Sequence, residues 1–314
     1  MRYAIIFPGQ GAQRPGMGKE FFDNYASARE VFEMADDALG FSLTDMIFNG
    51  TPDDLAKTSI TQPSILTVSI AAFKALQEEF GTDLTPICMA GHSLGEYTSL
   101  VASGVLSIAD GVKLVHLRGD LMQEAVPFGL GTMAAIVGLP YEEVDSICKQ
   151  VSQNEVCQAA NINSSTQVVI SGHTTAVERA IKIIEQNGNI RIVPLRVSAP
   201  FHSDLMRPVA EKLKDAFEKI EWNDSKIPII ANATALPVES KNDIKRALYL
   251  QTFSPVLWAQ SVEAMEHKVE GYIELGPGSV LSGLVRKISK IHKPYPVSST
   301  EELVKAVSFL REEC

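Results

Sequence analysis

Short apolar runs alternate along this chain with longer stretches in which apolar residues return every three or four positions. That alternation predicts a parallel sheet covered by helices. The runs that read as strands are Tyr3–Phe7, Ile87–Ala90, Ile227–Ala231, Tyr272–Leu275 and Tyr295–Val297. Between them, Ser27 and Ser299 each stand three residues before a glutamate, Glu30 and Glu302, the spacing of a helix-capping box. The middle of the chain keeps a different rhythm. Met133–Gly138 reads as a strand, Tyr141–Val151 as a helix, and Cys157–Asn161 and Val168–Ser171 as two strands. A helix capped by Thr175 and Glu178 then runs to about Gln186, and Ile190–Val197 is a last strand. This β-α-β-β-α-β order is the ferredoxin-like pattern. The expected fold is α/β: a hydrolase-like parallel-sheet domain from residues 1–127 and 197–314, with a small ferredoxin-like domain inserted at 128–196. A cleft is expected where the two meet.

Composition narrows the class. With 314 residues, 45% of them hydrophobic and 21% charged, the chain has the balance of a globular protein. No run approaches the roughly 18 apolar residues that span a bilayer. The apolar run Ala4–Phe7 ends at Pro8-Gly9, too short for the core of a signal peptide. Cys88, Cys148, Cys157 and Cys314 form no C-x-x-C pair, so a reducing, cytoplasmic setting without a metal site is expected. A formal net charge of −10 argues against nucleic acid or an anionic membrane as partner, since phosphates require clustered Lys and Arg.

The strongest chemical signal is Gly91-His92-Ser93-Leu94-Gly95, a G-x-S-x-G between an apolar strand and a helix. Its glycines permit a tight turn that lifts the Ser93 hydroxyl from the sheet edge, the arrangement of a serine nucleophile. The Leu94 N–H, at the helix start, is the first candidate donor to an oxyanion. A serine needs a base, and of six histidines only His202, in Ser198-Ala199-Pro200-Phe201-His202-Ser203, follows a strand toward that same edge. His116 falls on a helix, while His173, His267 and His292 sit among polar residues. Asp110, Asp120 and Asp145, the aspartates between Ser93 and His202, belong to helical segments, so backbone carbonyls are expected to orient the histidine.

Arg118 stands inside the apolar stripe formed by Leu114, Val115, Leu121, Met122 and Ala125. A guanidinium facing the interior needs an anion, either an internal carboxylate or the carboxylate of a substrate held bidentately. Gln251 shares the apolar phase of Ile244, Ala247 and Leu248, so its amide calls for a buried partner such as a loop carbonyl or His202, unless the helix end frays. The loop Phe7-Pro8-Gly9-Gln10-Gly11-Ala12-Gln13 lacks both nucleotide-binding glycine patterns, and its Gln10 amide can serve as an oxyanion donor.

Taken together, FPGQGAQ at 7–13, TQPSI at 61–65, GHSLGEY at 91–97, LVHLRGDLMQ at 114–123, GTMAAIVGL at 131–139, Pro-Phe-His-Ser at 200–203, ANAT at 231–234 and ELGPG at 274–278 resemble the malonyl-CoA:acyl carrier protein transacylases of dissociated fatty acid synthesis. The resemblance implies Ser93 as acyl carrier, His202 as base and Arg118 as the clamp on the malonyl carboxylate. It also implies the Gln10 and Leu94 amides as oxyanion hole, Gln251 and Asn232 as supports, and Phe201 as the residue that excludes an α-methyl. The implied partners are malonyl-CoA, as substrate, and acyl carrier protein; no cofactor is implied, and the enzyme is expected to be a monomer. An acidic carrier would dock on a basic cluster, for which Arg286, Lys287, Lys290 and Lys293 are the densest candidate. The rivals are a serine esterase or thioesterase on the same elbow, which the missing triad acid disfavours, and a non-catalytic carrier-binding module.

Overall fold

A computed structural model describes residues 2–81, 84–127, 129–188, 190–195, 197 and 199–311. Phe128 and Arg196, at the expected domain borders, lie outside them, as do Ser198 of the histidine segment and Cys314. The chain opens with β1 (Tyr3–Phe7), α1 (Lys19–Asn24), α2 (Ala26–Leu39), α3 (Leu43–Asn49) and α4 (Thr58–Phe80). β2 (Cys88–Gly91), α5 (Leu94–Ala102) and α6 (Ile108–Gln123) follow. Next come β3 (Gly131–Val137), α7 (Tyr141–Ser152), β4 (Cys157–Ser164), β5 (Gln167–His173), α8 (Thr174–Ile184) and β6 (Arg191–Pro194). The chain then forms α9 (Arg207–Phe217), β7 (Ile229–Ile230), β8 (Pro237–Val238), α10 (Lys241–Gln251) and α11 (Trp258–Glu266). It closes with β9 (Gly271–Leu275), α12 (Val280–Ile288), β10 (Lys293–Val297) and α13 (Thr300–Arg311).

A six-stranded sheet runs in the order β10-β9-β1-β2-β7-β8. β1 pairs in parallel with β2 (Ala4 opposite Cys88) and with β9 (Tyr3 opposite Gly271). Every residue of β1 is buried, but successive residues enter different cores: Tyr3, Ile5 and Phe7 on one face, Ala4 and Ile6 on the other. A strand covered on both faces reads as a continuous apolar run, which is why it stands out in the sequence. The expectation of a wholly parallel sheet is corrected at the edge, where β8 lies antiparallel to β7. Only two residues long and starting with proline, β8 has no periodic signal; proline is tolerated there because an edge strand can spare an N–H.

The middle elements build a second, four-stranded sheet in the order β4-β5-β3-β6, with all neighbours antiparallel. Ile136, Ile170, Val144, Val177 and Ile184 bring this sheet, α7 and α8 into a core separate from that of the large sheet. The last strand is shorter than the expected Ile190–Val197.

The capping expectations fare unevenly. Ser27 lies inside α2, and its N–H and hydroxyl both go to Glu78. Thr175 likewise lies inside α8 and donates to Glu155. Ser299 does accept from Glu302 N–H at 3.3 Å, but the Glu302 carboxylate reaches back to Ser298 instead. Spacing offers a local partner; a carboxylate brought close by tertiary packing outcompetes it.

Candidate active site

Parallel strands end at one edge, and their following loops gather there. Gln10 follows β1, Ser93 follows β2 and Asn232 follows β7, while His202 arrives on the segment between β6 and α9. Ser93 has φ 51° and ψ −101°, a conformation that a non-glycine residue holds only under constraint. The flanking glycines supply that constraint. A Cβ on Gly95 would strike the Phe7 carbonyl oxygen, and one on Gly91 would strike the backbone of Gly95. The first turn of α5 can therefore press against the end of β1. Asn232 completes the turn, its Oδ1 accepting from Ser93 N–H at 2.7 Å and its Nδ2 donating to Gly91 O at 2.7 Å.

The Ser93 hydroxyl lies 2.7 Å from His202 Nε2. On the other side of the ring, Nδ1 is 2.9 Å from the Gln251 carbonyl. A carbonyl only accepts, so Nδ1 carries the proton and Nε2 offers its lone pair to the hydroxyl. Burial, reinforced by the charge of Arg118, pushes the His202 pKa down to about 3, which keeps the imidazole neutral. Asp110, Asp120 and Asp145 are all elsewhere, engaged with Ser107, His116 and Lys149.

Arg118 is 1% exposed. Its helix, α6, approaches α4 closely because position 119 is glycine: a Cβ there would sit 2.5 Å from Ser59 Cα. Its Nη1 donates to Gln62 Oε1 at 2.8 Å, and Nη2 donates to Gln251 Oε1 and to Ser93 Oγ, both at 3.1 Å. The guanidinium also lies over the Tyr97 ring, 5.0 Å from its centroid. Among the described residues no carboxylate forms an ion pair with it. A cavity of about 100 Å³ connects these groups and is lined by Ser93, His202 and Arg118 together with Gln10, Leu94 and Phe201. A hydroxyl poised on a neutral imidazole, beside a cation that has no ion-pair partner among the described residues, suits acyl transfer from an anionic acyl donor.

Comparison with known proteins agrees with this geometry. Residues 4–301 match the model of the acyl transferase domain. The malonyl CoA-acyl carrier protein transacylase of Bacillus subtilis (strain 168) is 42% identical over 314 residues, covering 99% of this chain and 98% of that one. The chain belongs to the malonyl-CoA:acyl carrier protein transacylase family. The solved transacylase of Clostridium perfringens superposes with a TM-score of 0.94 at 40% identity, covering all of this chain and 98% of the other. A malonyl-transacylase solved in complex with a type II PKS acyl-carrier protein gives 0.95 at 39% identity, covering 98% of this chain and all of that one.

Within this transacylase family site, two residues escaped the sequence reading. Glu96 accepts from Asn232 N–H at 3.0 Å and from Gln251 Nε2 at 2.9 Å, and burial raises its pKa to about 7. Gln62 supplies the Arg118 acceptor just described. A signal existed for both. α5 is buried from Leu94 to Val101, so its one charged residue had to be interior. α4 is buried over most of its length from Thr58 to Leu76, so Gln62 had to find a polar partner. His92 is engaged by the small sheet, its Nε2 donating to Asn163 Oδ1 at 2.9 Å.

The basic cluster is spread over the fold. Lys293 opens β10 opposite Gly271, the first residue of β9, and so sits at the amino edge of the sheet. Arg286 and Lys287 occupy the last turn of α12, where Lys287 Nζ donates to Gln167 Oε1 of the small sheet at 3.1 Å, so of the cluster only Lys293 is fixed at the amino edge. Ser93 emerges at the opposite, carboxyl edge. Sequence density of charge carries no information about which end of a strand it will occupy.

Proposed function

We infer that this chain moves a malonyl group from malonyl-CoA to the pantetheine thiol of an acyl carrier protein, through an acyl-serine intermediate on Ser93. In the first half-reaction His202 Nε2 takes the hydroxyl proton as Ser93 Oγ attacks the thioester carbonyl. The tetrahedral oxyanion is received by the Gln10 and Leu94 amides, and collapse breaks the C–S bond while His202 returns the proton to the departing sulfur. In the second half-reaction the carrier's thiol gives its proton to His202 and attacks the acyl-serine carbonyl; the C–Oγ bond breaks and His202 returns the proton to Ser93 Oγ. Arg118 holds the free malonyl carboxylate throughout, and Asn232 and Gln251 keep the elbow and the guanidinium in place. Phe201, 7% exposed in the cavity wall, leaves little room for an α-methyl. The chemistry draws only on side chains, a thioester and a thiol, so the reading includes no prosthetic group, and it takes the enzyme to be a cytoplasmic monomer.

The same reading divides the chain into a large hydrolase-like α/β domain, 1–127 with 197–314, and a ferredoxin-like insert, 128–196, which roofs the cleft and limits access of water to the acyl-enzyme. The β3-α7-β4-β5-α8-β6 order with strand order β4-β5-β3-β6 supports this division.

One observation carries the malonyl assignment: among the described residues, a buried guanidinium is bonded to neutral oxygens alone, one of them the Ser93 hydroxyl. Intact mass spectrometry after incubation with malonyl-CoA tests it. The expected result is one stable malonyl-sized increase that Ser93→Ala abolishes; continuous release of coenzyme A without carrier would indicate a thioesterase instead.

A further inference from the structure

β4 belongs to the small sheet but is also bonded to the segment between α10 and α11. Its backbone is joined to Val256, which donates to Ala160 O at 2.8 Å and accepts from Ile162 N–H at 2.9 Å. Its side-chain amides then reach toward the catalytic edge. Asn163 holds His92 of the elbow, and Gln158 meets Asp204, two residues beyond His202.

The last contact is reciprocal. Gln158 Nε2 donates to Asp204 Oδ2 at 2.9 Å, and Asp204 N–H donates to Gln158 Oε1 at 2.8 Å. The other Asp204 oxygen accepts from Arg207 Nε at 2.7 Å, and that guanidinium lies 4.1 Å from the centroid of Phe253. Phe253 follows Gln251 by two residues, and the Gln251 carbonyl is what orients His202. One chain of contacts thus ties together the turn that carries the imidazole and the carbonyl that aims it. The turn needs tying, because His202 itself sits at φ 57°, where a residue with a Cβ stays only when its surroundings hold it. A cavity of about 310 Å³ opens beside the clasp, lined by Gln158, His202 and Phe253, so packing alone does not fill the space behind the ring.

We propose that Gln158 is a positioning residue for the catalytic base: through its two-bond clasp with Asp204 the small sheet sets the approach of His202 to the Ser93 hydroxyl. The proposal builds on the reading of His202 as base. It is separate from the anion clamp, so its loss affects malonyl and acetyl donors alike.

The test compares Gln158→Glu, Gln158→Met and the double variant Gln158→Glu/Asp204→Asn. The first sets two carboxylates against each other, and the second removes both bonds without adding charge. In the double variant the new carboxylate at 158 accepts from both the backbone N–H and the new amide at 204, restoring two bonds with the roles exchanged. The readouts are the rate of Ser93 labelling by a fluorophosphonate, the rates of acyl-enzyme formation from malonyl-CoA and acetyl-CoA, and the melting temperature. Labelling and both acylation rates should fall about 10- to 100-fold in Gln158→Glu, with KM for malonyl-CoA within about twofold of the parent. Gln158→Met should lose less, and the double variant should return to within about threefold of the parent. Parental labelling in Gln158→Glu or Gln158→Met, or a double variant no faster than Gln158→Glu, overturns the proposal. His202→Ala is the control: if it labels at the parental rate, the assignment of the base has failed, whereas a slow His202→Ala beside a parental Gln158→Glu removes the clasp alone.

Discussion

Arg118 donates to the Ser93 hydroxyl over 3.1 Å, which places a full positive charge one hydrogen bond from the proposed nucleophile. Its orientation is set at second hand. Glu96 takes the Gln251 NH₂ group, and this turns the amide oxygen of Gln251 toward the guanidinium. The nearest acid therefore aims the cation without pairing with it, and the charge stays available for a substrate carboxylate.

Replacing Arg118 by alanine should separate the two kinds of donor. A bidentate arginine–carboxylate contact in a buried site contributes about 2–4 kcal/mol, so malonyl transfer is expected to drop roughly 30- to 1000-fold. Acetyl transfer, which offers no carboxylate, should change far less. Measuring kcat/KM for both donors decides the matter; equal losses would leave Arg118 a packing residue.

The pH dependence of Ser93 reactivity should reveal the buried imidazole. An ordinary histidine protonates near 6.5, but burial holds His202 at about 3. The folded-state pKa is depressed, so the neutral base persists as pH falls below the ordinary value. Fluorophosphonate labelling should stay flat from about pH 8 to pH 5. A half-maximal rate near the ordinary histidine value would mean that the ring is solvated.

Glu96 has the opposite sign. Its folded-state pKa is raised from 4.5 to about 7, so the native state loses stability as pH rises through that interval and the buried carboxyl ionises. Glu96→Gln keeps an acceptor for Asn232 N–H and Gln251 Nε2 without the ionisation. Its melting temperature relative to the parent should therefore climb between about pH 5 and pH 8, reflecting a term on the order of 3 kcal/mol at most. A difference that does not vary with pH would show that Glu96 is not the titrating group.

Lys290→Glu combined with Lys293→Glu should leave KM for the carrier protein unchanged, because Lys293 begins its strand at the sheet edge opposite Ser93. A several-fold rise in KM with unchanged acyl-enzyme formation would put the carrier's docking face there after all.

The elbow was readable in the sequence because its requirements are local: an apolar strand, a serine between glycines, then a helix. Arg118 was readable because helical periodicity put a charge in an apolar stripe, and burial followed. Glu96 and Gln62 obeyed the same logic but were embedded in helices buried all round, where no polar face contrasts with them. The caps at Ser27 and Thr175 misled because a favourable local spacing says nothing about Glu78 or Glu155 arriving from other elements.

By itself the sequence determined the alternation of strands and helices, the order of the central unit, the sharp turn at Ser93 and the inward face of α6. Each of these depends on steric and hydrophobic preferences acting within a few residues. Only tertiary structure decided that the Arg118 acceptors are neutral, that the Gln251 carbonyl orients His202, and that Lys293 falls at the far edge of the sheet. Those outcomes join residues up to 133 positions apart, and the free energy that selects them comes from packing whole elements together, which no local window contains.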